Sequence, residues 1–235
     1  MPVAVVTGAS RGLGLALARE LVRRGWRLIV DARDEAALRR AVGDLGPPGQ
    51  VTAIPGDVAD PGHRQAIVEA GNGSGSASLL VNNASLLGPS PQPSLDHYPL
   101  AELERVFRVN TFAPLALVQA LLPSLTAAQG TIVNVTSDAA VEPYEGWGGY
   151  GASKAALEQL TAILGAERND LHVYSFDPGD MRTVMHQEAY PGQDISDRPD
   201  PESVAPSFLR LIEELPPSGR YTSTQLARAS ESVSR

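Results

Sequence analysis

The sequence holds a tyrosine and a lysine at a spacing that suits acid–base chemistry. Lys154 is the only lysine among nineteen lysine and arginine residues, and it lies four residues after Tyr150. Residues four apart share one face of a helix, so the two side chains are predicted to be neighbours. An ammonium about 4 Å from a phenol, at an effective dielectric constant near 20, stabilises the tyrosinate by roughly 4 kcal/mol. We therefore expect Lys154 to lower the pKa of Tyr150 from about 10, less any cost of burial, for acid–base work.

The use of lysine at position 154 is informative because every other basic residue except histidine is arginine. An ammonium is compact and carries three donors, whereas the guanidinium is a larger planar group. We interpret Lys154 as a small cation beneath the tyrosine. The alternative is that one lysine falls at this position by chance.

A glycine-rich segment near the start of the chain has the residues to bind a phosphate group. The segment "TGASRGLG" (7–14) places Gly8, Gly12 and Gly14 between a β-branched run and an amphipathic helix. Such a turn lets the backbone approach a phosphate at the positive end of the helix. The alternative is an ordinary glycine-rich turn between a strand and a helix.

Alternating strands and helices are predicted to position these motifs. The predicted strands are 3–7, 27–32, 50–58, 78–84, 130–137, 171–179 and a short one at 220–226. The predicted helices are 13–24, 34–42, 63–70, 99–122, 150–166 and 202–215. This order predicts one α/β domain over 1–235, a doubly wound parallel sheet of about seven strands with helices on both faces. Ligands are then expected outside the carboxyl ends of the strands.

Several motifs together resemble the classical short-chain dehydrogenase/reductase family. "GDV" (56–58), "NNA" (82–84), Asn110, Ser137 and "PG" (178–179) occur in the family's order, together with the glycine loop and the YxxxK pair. The resemblance covers nearly the whole chain. It implies a Rossmann-type fold and hydride transfer between a nicotinamide cofactor and a carbonyl or alcohol substrate.

The resemblance also implies roles for individual residues. The implied catalytic residues are Asn110, Ser137, Tyr150 and Lys154. Ser137 would hydrogen-bond the substrate oxygen, Tyr150 would donate the proton, and Asn110 would hold a water that links Lys154 to solvent. The implied cofactor-binding residues are Gly8, Ser10, Arg11, Gly12, Leu13, Gly14, Arg33, Asp57, Val58, Asn83, Ala84, Tyr150, Lys154, Pro178, Gly179, Met181 and Thr183.

Some of these assignments have alternatives. Asp138 follows Ser137 directly, so a shift by one residue would place a carboxylate at the site. Asn110 could instead be a polar residue near a helix bend at Pro114. Ser85 stands where the family usually has glycine, which is expected to narrow the pocket or to shift the loop.

Two arginines favour NADP(H) over NAD(H). Arg11 lies in the glycine loop, and Arg33 follows the second strand, with Ala32 where NAD-preferring relatives carry aspartate. Both arginines could bind the 2′-phosphate through charge-assisted hydrogen bonds. If the strand were shifted by one residue, Asp31 would instead indicate NAD(H). A further alternative is that both arginines are solvated surface charges.

The substrate itself is not indicated by the sequence. Residues 180–201 are expected to form a lid over it, and 227–235 a flexible tail. The candidate pocket residues are Leu86, Val141, Tyr144, Trp147, Met181 and Met185.

Composition excludes several other classes of function. The chain has no cysteine, so disulfides and thiolate chemistry are excluded, and its four histidines show no metal-ligand spacing. A net charge of −8 argues against nucleic-acid and anionic-membrane partners. The start of the chain lacks a signal-peptide pattern, which favours a cytoplasmic protein.

The resemblance further implies a homodimer or homotetramer formed through the helices at 99–122 and 150–166. The rival hypothesis is a catalytically silent dinucleotide-binding sensor or scaffold. A second rival is reduction of an imine or enone by the same residues.

Overall fold

A parallel β-sheet forms the centre of the computed structural model, which describes residues 1–43 and 45–233. Within these residues the sheet has seven strands in the order β3-β2-β1-β4-β5-β6-β7, and every pairing is parallel. The strands are β1 Val3–Val6, β2 Arg27–Ala32, β3 Val51–Pro55, β4 Ala77–Asn82, β5 Thr131–Val135, β6 His172–Asp177 and β7 Gly219–Thr222. The predicted single-domain, doubly wound α/β fold is therefore confirmed.

Helices connect the strands and cover both faces of the sheet. The α-helices are α1 Gly12–Arg23, α2 Glu35–Gly43, α3 Pro61–Gly73, α4 Leu100–Phe107, α5 Ala113–Ala127, α6 Gly148–Glu167, α7 Val184–Ala189, α8 Ala205–Glu214 and α9 Ser223–Val233. Successive strand residues point to opposite faces, which separates the apolar core into two layers. One layer joins the sheet to α1, α2, α8 and α9, and the other joins it to α3 and α5.

Helix α1 shows how the sequence pattern produces this packing. Leu13, Leu17 and Leu21 recur every four residues and are all buried against the sheet. The arginines of α1 lie on the opposite, solvent-facing side, as the amphipathic pattern predicts. Packing of α1 fixes where its first turn, and with it the glycine loop, meets the ends of the strands.

The end of the chain differs from its prediction. Strand β7 stops at Thr222 and α9 begins at Ser223, so the strand predicted over 220–226 is too long. Residues 227–233 of the predicted flexible tail are helical, and residues 234–235 lie outside the described residues. The difference has a packing cause, because Leu226 is buried in the core layer that contains α8.

The segment Leu100–Ala127 is long and apolar enough to cross a membrane by length and composition alone. Half of its apolar window is buried inside the fold. That burial is the pattern of a core helix, since α5 supplies much of one core layer. The region predicted as one helix over 99–122 is divided, because a π-helical turn at Arg108–Phe112 separates α4 from α5.

Candidate active site

A cavity of about 940 Å³ opens at the carboxyl ends of the strands. Three of the four predicted catalytic residues line it, namely Ser137, Tyr150 and Lys154. It also receives the predicted cofactor residues Gly8, Ser10, Arg11, Gly12, Leu13, Arg33, Asp57, Val58, Asn83, Ala84, Pro178, Gly179, Met181 and Thr183. Residues from the whole length of the chain thus meet in one cleft, as expected for this sheet topology.

The glycine loop has a backbone shape that requires glycine. Gly8 and Gly12 have φ angles of 69° and 56°, in the left-handed region that other residues rarely adopt. A Cβ on Gly8 would lie 2.9 Å from Ala84 Cα, and one on Gly14 would collide with the Gly8 carbonyl oxygen. Gly14 does not line the cavity, because it lies beneath the loop and allows α1 to pack closely against it.

The loop is held in place by the end of strand β4. Asn83 Nδ2 donates to the carbonyl oxygens of Thr7 and Gly8, at 2.9 and 3.2 Å. Thr7 Oγ1 accepts from the backbone N–H groups of Asn83 and Ala84, both at 3.0 Å. These bonds give "NNA" a structural function, since they join the two segments that form the floor of the cleft.

Asp31 has a role that the sequence analysis did not anticipate. It lies within β2, is buried, and accepts from the Gly8 N–H at 2.7 Å. Its other carboxylate oxygen lies 3.0 Å from His63 Nε2. Gly56 leaves room for the His63 ring, which a Cβ at position 56 would overlap. The side chain of Asp31 is therefore engaged in supporting the glycine loop from below.

Arg11 and Arg33 both line the same end of the cavity and are exposed. Within residues 1–43 and 45–233, neither side chain forms an ion pair or a hydrogen bond. By contrast, Arg39 on the neighbouring helix α2 is paired with Glu35. Arg11 and Arg33 thus present unneutralised guanidinium groups to this end of the cleft.

Tyr150 and Lys154 lie side by side on α6, as their spacing predicts. Only 8% of Tyr150 and 2% of Lys154 is exposed. Lys154 Nζ is 5.6 Å from the centre of the Tyr150 ring and donates to the Val135 carbonyl oxygen at 2.8 Å. An arginine would have to fit a larger planar head into the same buried space, so the structure supplies a steric reason for lysine.

Burial is the largest cause of the pKa shifts of both Tyr150 and Lys154. It raises the pKa of Tyr150 to about 12, with smaller opposing effects from hydrogen bonds to Ser85 and Ser137. Burial also lowers the pKa of Lys154 to about 8, and the Glu158 carboxylate acts in the opposite direction. The expected lowering of the tyrosine pKa is therefore wrong, because burial disfavours the charged tyrosinate.

A partly buried ion-pair network lies near Lys154. Arg220 on β7 donates to Glu158 at 3.0 Å and to Asp177 at 2.8 Å. Thr136 Oγ1 also donates to Glu158, at 2.7 Å. Arg220 thereby offsets the negative charge of two carboxylates near the site. One of them, Asp177, acts to raise the pKa of Tyr150.

Asn110 lies outside the cavity and joins three segments of the chain. It is completely buried in the π-helical turn between α4 and α5. Its amide donates to the Leu86 carbonyl and to Ser153 Oγ, both at 2.9 Å. Its oxygen accepts from the Leu86 N–H at 2.8 Å and from Ser85 Oγ at 3.2 Å. These four bonds give Asn110 a structural role in holding residues 85–86 and α6 together. π-Helical turns are also frequent at functional sites.

Ser137 and Asp138 both line the cavity, so a carboxylate lies beside the predicted catalytic serine. Ser137 Oγ donates to Asp138 Oδ1 at 2.9 Å and accepts from the Ala139 N–H at 3.2 Å. Asp138 Oδ2 accepts from the Tyr144 hydroxyl at 2.9 Å. The serine hydroxyl proton is thus already engaged by its neighbour.

The predicted substrate pocket is only partly assembled. Trp147, Met181 and Met185 line the cavity. Leu86 instead packs against a core layer, while Val141 and Tyr144 are 56% and 46% exposed outside the cavity wall. The separation has a structural cause, because residues 138–147 form a short 3-10 turn and loop before α6.

The segment predicted as a lid, residues 180–201, lines part of the cavity. It contains helix α7, which Thr183 Oγ1 caps by accepting from the His186 N–H at 3.1 Å. Ion pairs join Arg182 to Asp200 and Arg198 to Asp180, so the two ends of the lid are linked. The cleft also contains Leu87 and Asp177, to which no role was given from the sequence.

Comparison with known proteins gives one consistent result. The family model for short chain dehydrogenases matches residues 2–194. Sepiapterin reductase from Mus musculus is 36% identical over 201 residues, which cover 80% of this chain and 77% of the relative. Benzil reductase from Saccharomyces cerevisiae is 32% identical over 222 residues, with coverages of 91% and 82%.

A solved structure extends the similarity to three dimensions. A Shigella flexneri short chain dehydrogenase, complexed with NADP, superposes with a TM-score of 0.86 at 26% identity. The match covers 95% of this chain and 97% of that one.

Proposed function

The chain belongs to the short-chain dehydrogenase family of oxidoreductases, and from that premise we propose that it is an NADP(H)-dependent enzyme interconverting a ketone or aldehyde with its alcohol. The observation that carries the proposal is the burial of Tyr150 beside Lys154 in a cavity that Ser137 also lines. A silent binding protein would not need a buried ammonium, whose desolvation is costly.

The residues of the cleft fit a dinucleotide cofactor. Gly8 of the glycine loop and Gly12 and Leu13 in the first turn of α1 line the cavity, so backbone N–H groups and a helix N-terminus are available to a phosphate. Arg11 and Arg33 would hold the 2′-phosphate, and Asp57 the adenine ring. Asp31 is engaged by Gly8 and His63, which leaves no carboxylate of β2 for a ribose hydroxyl. These features favour NADP(H), the cofactor present in the Shigella flexneri relative.

The chemistry divides between cofactor and protein. When bound, the nicotinamide supplies the hydride that adds to the carbonyl carbon. Tyr150, whose pKa is raised to about 12, is protonated at neutral pH and donates its proton to the substrate oxygen. Ser137 donates a hydrogen bond to the same oxygen as negative charge develops there. Asn110 positions residues 85–86 and α6 around this centre.

Lys154 stabilises the tyrosinate that remains after proton transfer. Its pKa of about 8 leaves it largely charged at neutral pH. One N–H is used by the Val135 carbonyl, which leaves two donors for ribose hydroxyls or water. Met181 and Thr183, which lie where the lid begins, would hold the nicotinamide end of the cofactor.

We also propose that the chain assembles as a homo-oligomer through α4, α5 and α6. The support is that Leu100, Phe112 and Ile163, on or beside these helices, are large apolar residues that are 74%, 58% and 44% exposed. Light scattering across a concentration series would show a dimer or larger species if this face is an interface. A monomer at all concentrations would contradict it.

Calorimetric titration of the nucleotide-free protein with NADPH and with NADH tests the cofactor assignment. We expect tight NADPH binding and weak NADH binding. Carbonyl reduction is then tested by NADPH oxidation on a panel of ketones and aldehydes, with Tyr150→Phe as the control. Binding of neither nucleotide would overturn the proposed function, and tighter NADH binding would overturn the roles of Arg11 and Arg33.

A further inference from the structure

The hydroxyl of Ser137 is not free to bind a substrate oxygen as the protein stands. Its one proton is donated to Asp138 Oδ1 at 2.9 Å. A serine that stabilises a developing oxyanion has to donate that proton to the substrate instead. The carboxylate of Asp138 therefore competes with the carbonyl oxygen for the same donor.

Asp138 differs from the other carboxylates around Tyr150 in having no cationic partner. Asp177 is paired with Arg220 at 2.8 Å, and Asp180 lies 3.5 Å from Arg198. Across the described parts of the chain, no arginine, lysine or histidine lies within ion-pair distance of Asp138. Its hydrogen bonds come from Ser137, from the Ala139 N–H at 2.8 Å and from Tyr144, all of them uncharged groups.

The surroundings of Asp138 favour a positive charge. The segment 138–149 carries three acidic residues, Asp138, Glu142 and Glu145, and no basic one. The negative charge there is strong enough to affect a neighbouring phenol, since the hydrogen bond to Asp138 is the main reason that the pKa of Tyr144 rises to about 12.

Aromatic rings complete this end of the cleft. The Trp147 ring lies 6.2 Å from Tyr144, 5.7 Å from Tyr150 and 6.0 Å from Tyr190, measured between ring centres. Trp147, Tyr150 and Asp138 all line the cavity. Indole and phenol faces attract ammonium groups, and they do so most strongly where water is excluded. A carboxylate beside such rings is a chemical match for an organic cation.

We propose that the substrate is a carbonyl compound carrying a cationic amine within a few bonds of the carbonyl, and that Asp138 is the specificity-determining residue that binds the amine. This inference rests on the proposed carbonyl reduction. The amine neutralises Asp138 and releases the Ser137 hydroxyl for the carbonyl oxygen. The cation therefore promotes the chemical step as well as binding.

The reaction itself is unchanged by the amine. The carbonyl carbon gains a hydride with its electron pair from NADPH, which becomes NADP⁺. The C=O π bond breaks towards oxygen, and that oxygen takes the proton of Tyr150. No bond to the amine forms or breaks, so it leaves as it entered, on the product alcohol.

A matched pair of ketones tests the effect of a positive charge on the substrate without a change of shape. The quaternary N,N-dimethylpiperidinone cation and its carbon isostere, dimethylcyclohexanone, have the same shape when each carries its carbonyl opposite the quaternary centre. The charge of the cation does not depend on pH. kcat/KM with NADPH is measured for both ketones in the wild-type chain and in Asp138→Asn. For each protein, the preference is kcat/KM for the cation divided by kcat/KM for the neutral ketone. Comparing this preference between the wild type and Asp138→Asn cancels the intrinsic difference in reactivity between the ketones.

We expect the preference for the cation to fall about 10- to 100-fold in Asp138→Asn, as expected for loss of the Coulomb attraction between two charges a few ångströms apart in a partly solvated cleft. Part of that change should appear as faster reduction of the neutral ketone, because the amide no longer carries a negative charge beside Ser137. Glu142→Gln removes an exposed carboxylate of the same loop outside the cavity and should leave the preference unchanged. Tyr144→Phe keeps the Asp138 charge and should also retain the preference.

Equal preference in the wild-type chain and in a folded Asp138→Asn would overturn the inference while leaving carbonyl reduction intact. If neither ketone is reduced, both are titrated calorimetrically into the NADPH complex. Weaker binding of the cation by Asp138→Asn then supports charge recognition, and unchanged binding overturns it. Failure of carbonyl reduction as such is judged separately, by the wider panel with Tyr150→Phe.

Discussion

The two ends of the cleft are built in different ways. At the proposed nucleotide end, backbone groups and small residues form much of the surface, and the arginines Arg11 and Arg33 supply positive charge. At the substrate end, aromatic rings and the unpaired carboxylate of Asp138 form the surface. The first end is fixed by short turns directly attached to strands, whereas the second is formed by the 138–147 loop and the lid at 180–201.

The contrast between the two ends fits the proposed function, in which one end binds the cofactor and the other binds the substrate. The nucleotide end depends on backbone geometry, since Gly8 is held by Asp31 from below and by Asn83 from the side. The substrate end depends on side chains that can change without disturbing the sheet. Between them lie Tyr150 and Lys154 on α6, where we propose that the chemistry takes place.

The largest expected effect comes from removing the proton donor between the two ends. Tyr150→Phe should lower kcat/KM for carbonyl reduction by about 10³-fold, within the range for general acid–base catalysis. Its affinity for NADPH should change little, because the glycine loop, Arg11 and Arg33 are unaltered and Tyr150 supplies at most one of many contacts to the cofactor. Steady-state kinetics and calorimetry measure the two effects separately. Equal activity of the variant and the wild type would place the proton donor elsewhere.

The role of Asp31 in supporting the glycine loop is tested by measuring the free energy of unfolding. Asp31→Ala removes the acceptor of the Gly8 N–H and the partner of His63, so we expect a loss of about 3 kcal/mol in the free energy of unfolding. Asp34→Ala is the matched control, because Asp34 is exposed and accepts only from the Ala37 N–H. Loss of that cap should cost about 1 kcal/mol. Urea denaturation measures both, and similar losses would contradict a special role for Asp31.

The buried lysine predicts an unusual dependence of stability on pH. The pKa of Lys154 is about 8 in the folded protein and about 10.4 in an unfolded chain. Between these values the unfolded chain binds more protons, so the free energy of unfolding should rise with pH. Tyr150 opposes this rise only above about pH 10, where an unfolded tyrosine ionises.

Comparison with Lys154→Met isolates this contribution. From about pH 7 to about pH 9.5 the wild-type chain should gain about 2 kcal/mol more stability than the variant. Denaturant titrations at the two pH values measure the gain. Parallel changes in both proteins would mean that Lys154 is not desolvated in the folded state.

The smallest effect is expected at the exposed arginines. Arg33→Ala should weaken NADPH binding by about 10-fold, as expected for one charge-assisted contact at an exposed site, and leave NADH binding unchanged. Arg39→Ala is the control, because Arg39 is already paired with Glu35. If Arg33→Ala weakened both nucleotides equally, the arginine would not be reading the 2′-phosphate.

The same contrast explains what the sequence could and could not predict. The glycine loop, the sheet and the spacing of Tyr150 and Lys154 are local patterns, and the structure places them as expected. The engagement of Asp31 by His63 could not be predicted, because the two residues are 32 positions apart and meet only after β2 and α3 pack.

At the substrate end the sequence was less informative for a physical reason. The positions of Leu86, Val141 and Tyr144 depend on loops whose path is set by contacts with distant segments, such as Asn110 with Leu86. The pKa of Tyr150 was also misjudged, because burial can be known only once the surrounding helices are in place.

The proposed chemistry depends most on Lys154 being a buried cation beside Tyr150. Because it is the only lysine, isotope-labelled lysine gives a single side-chain signal that nuclear magnetic resonance can follow through a pH titration. In the cofactor-free protein we expect this signal to titrate with a midpoint of about 8. A midpoint near the ordinary value of about 10.4 would show a solvated lysine and would contradict the proposed acid–base pair.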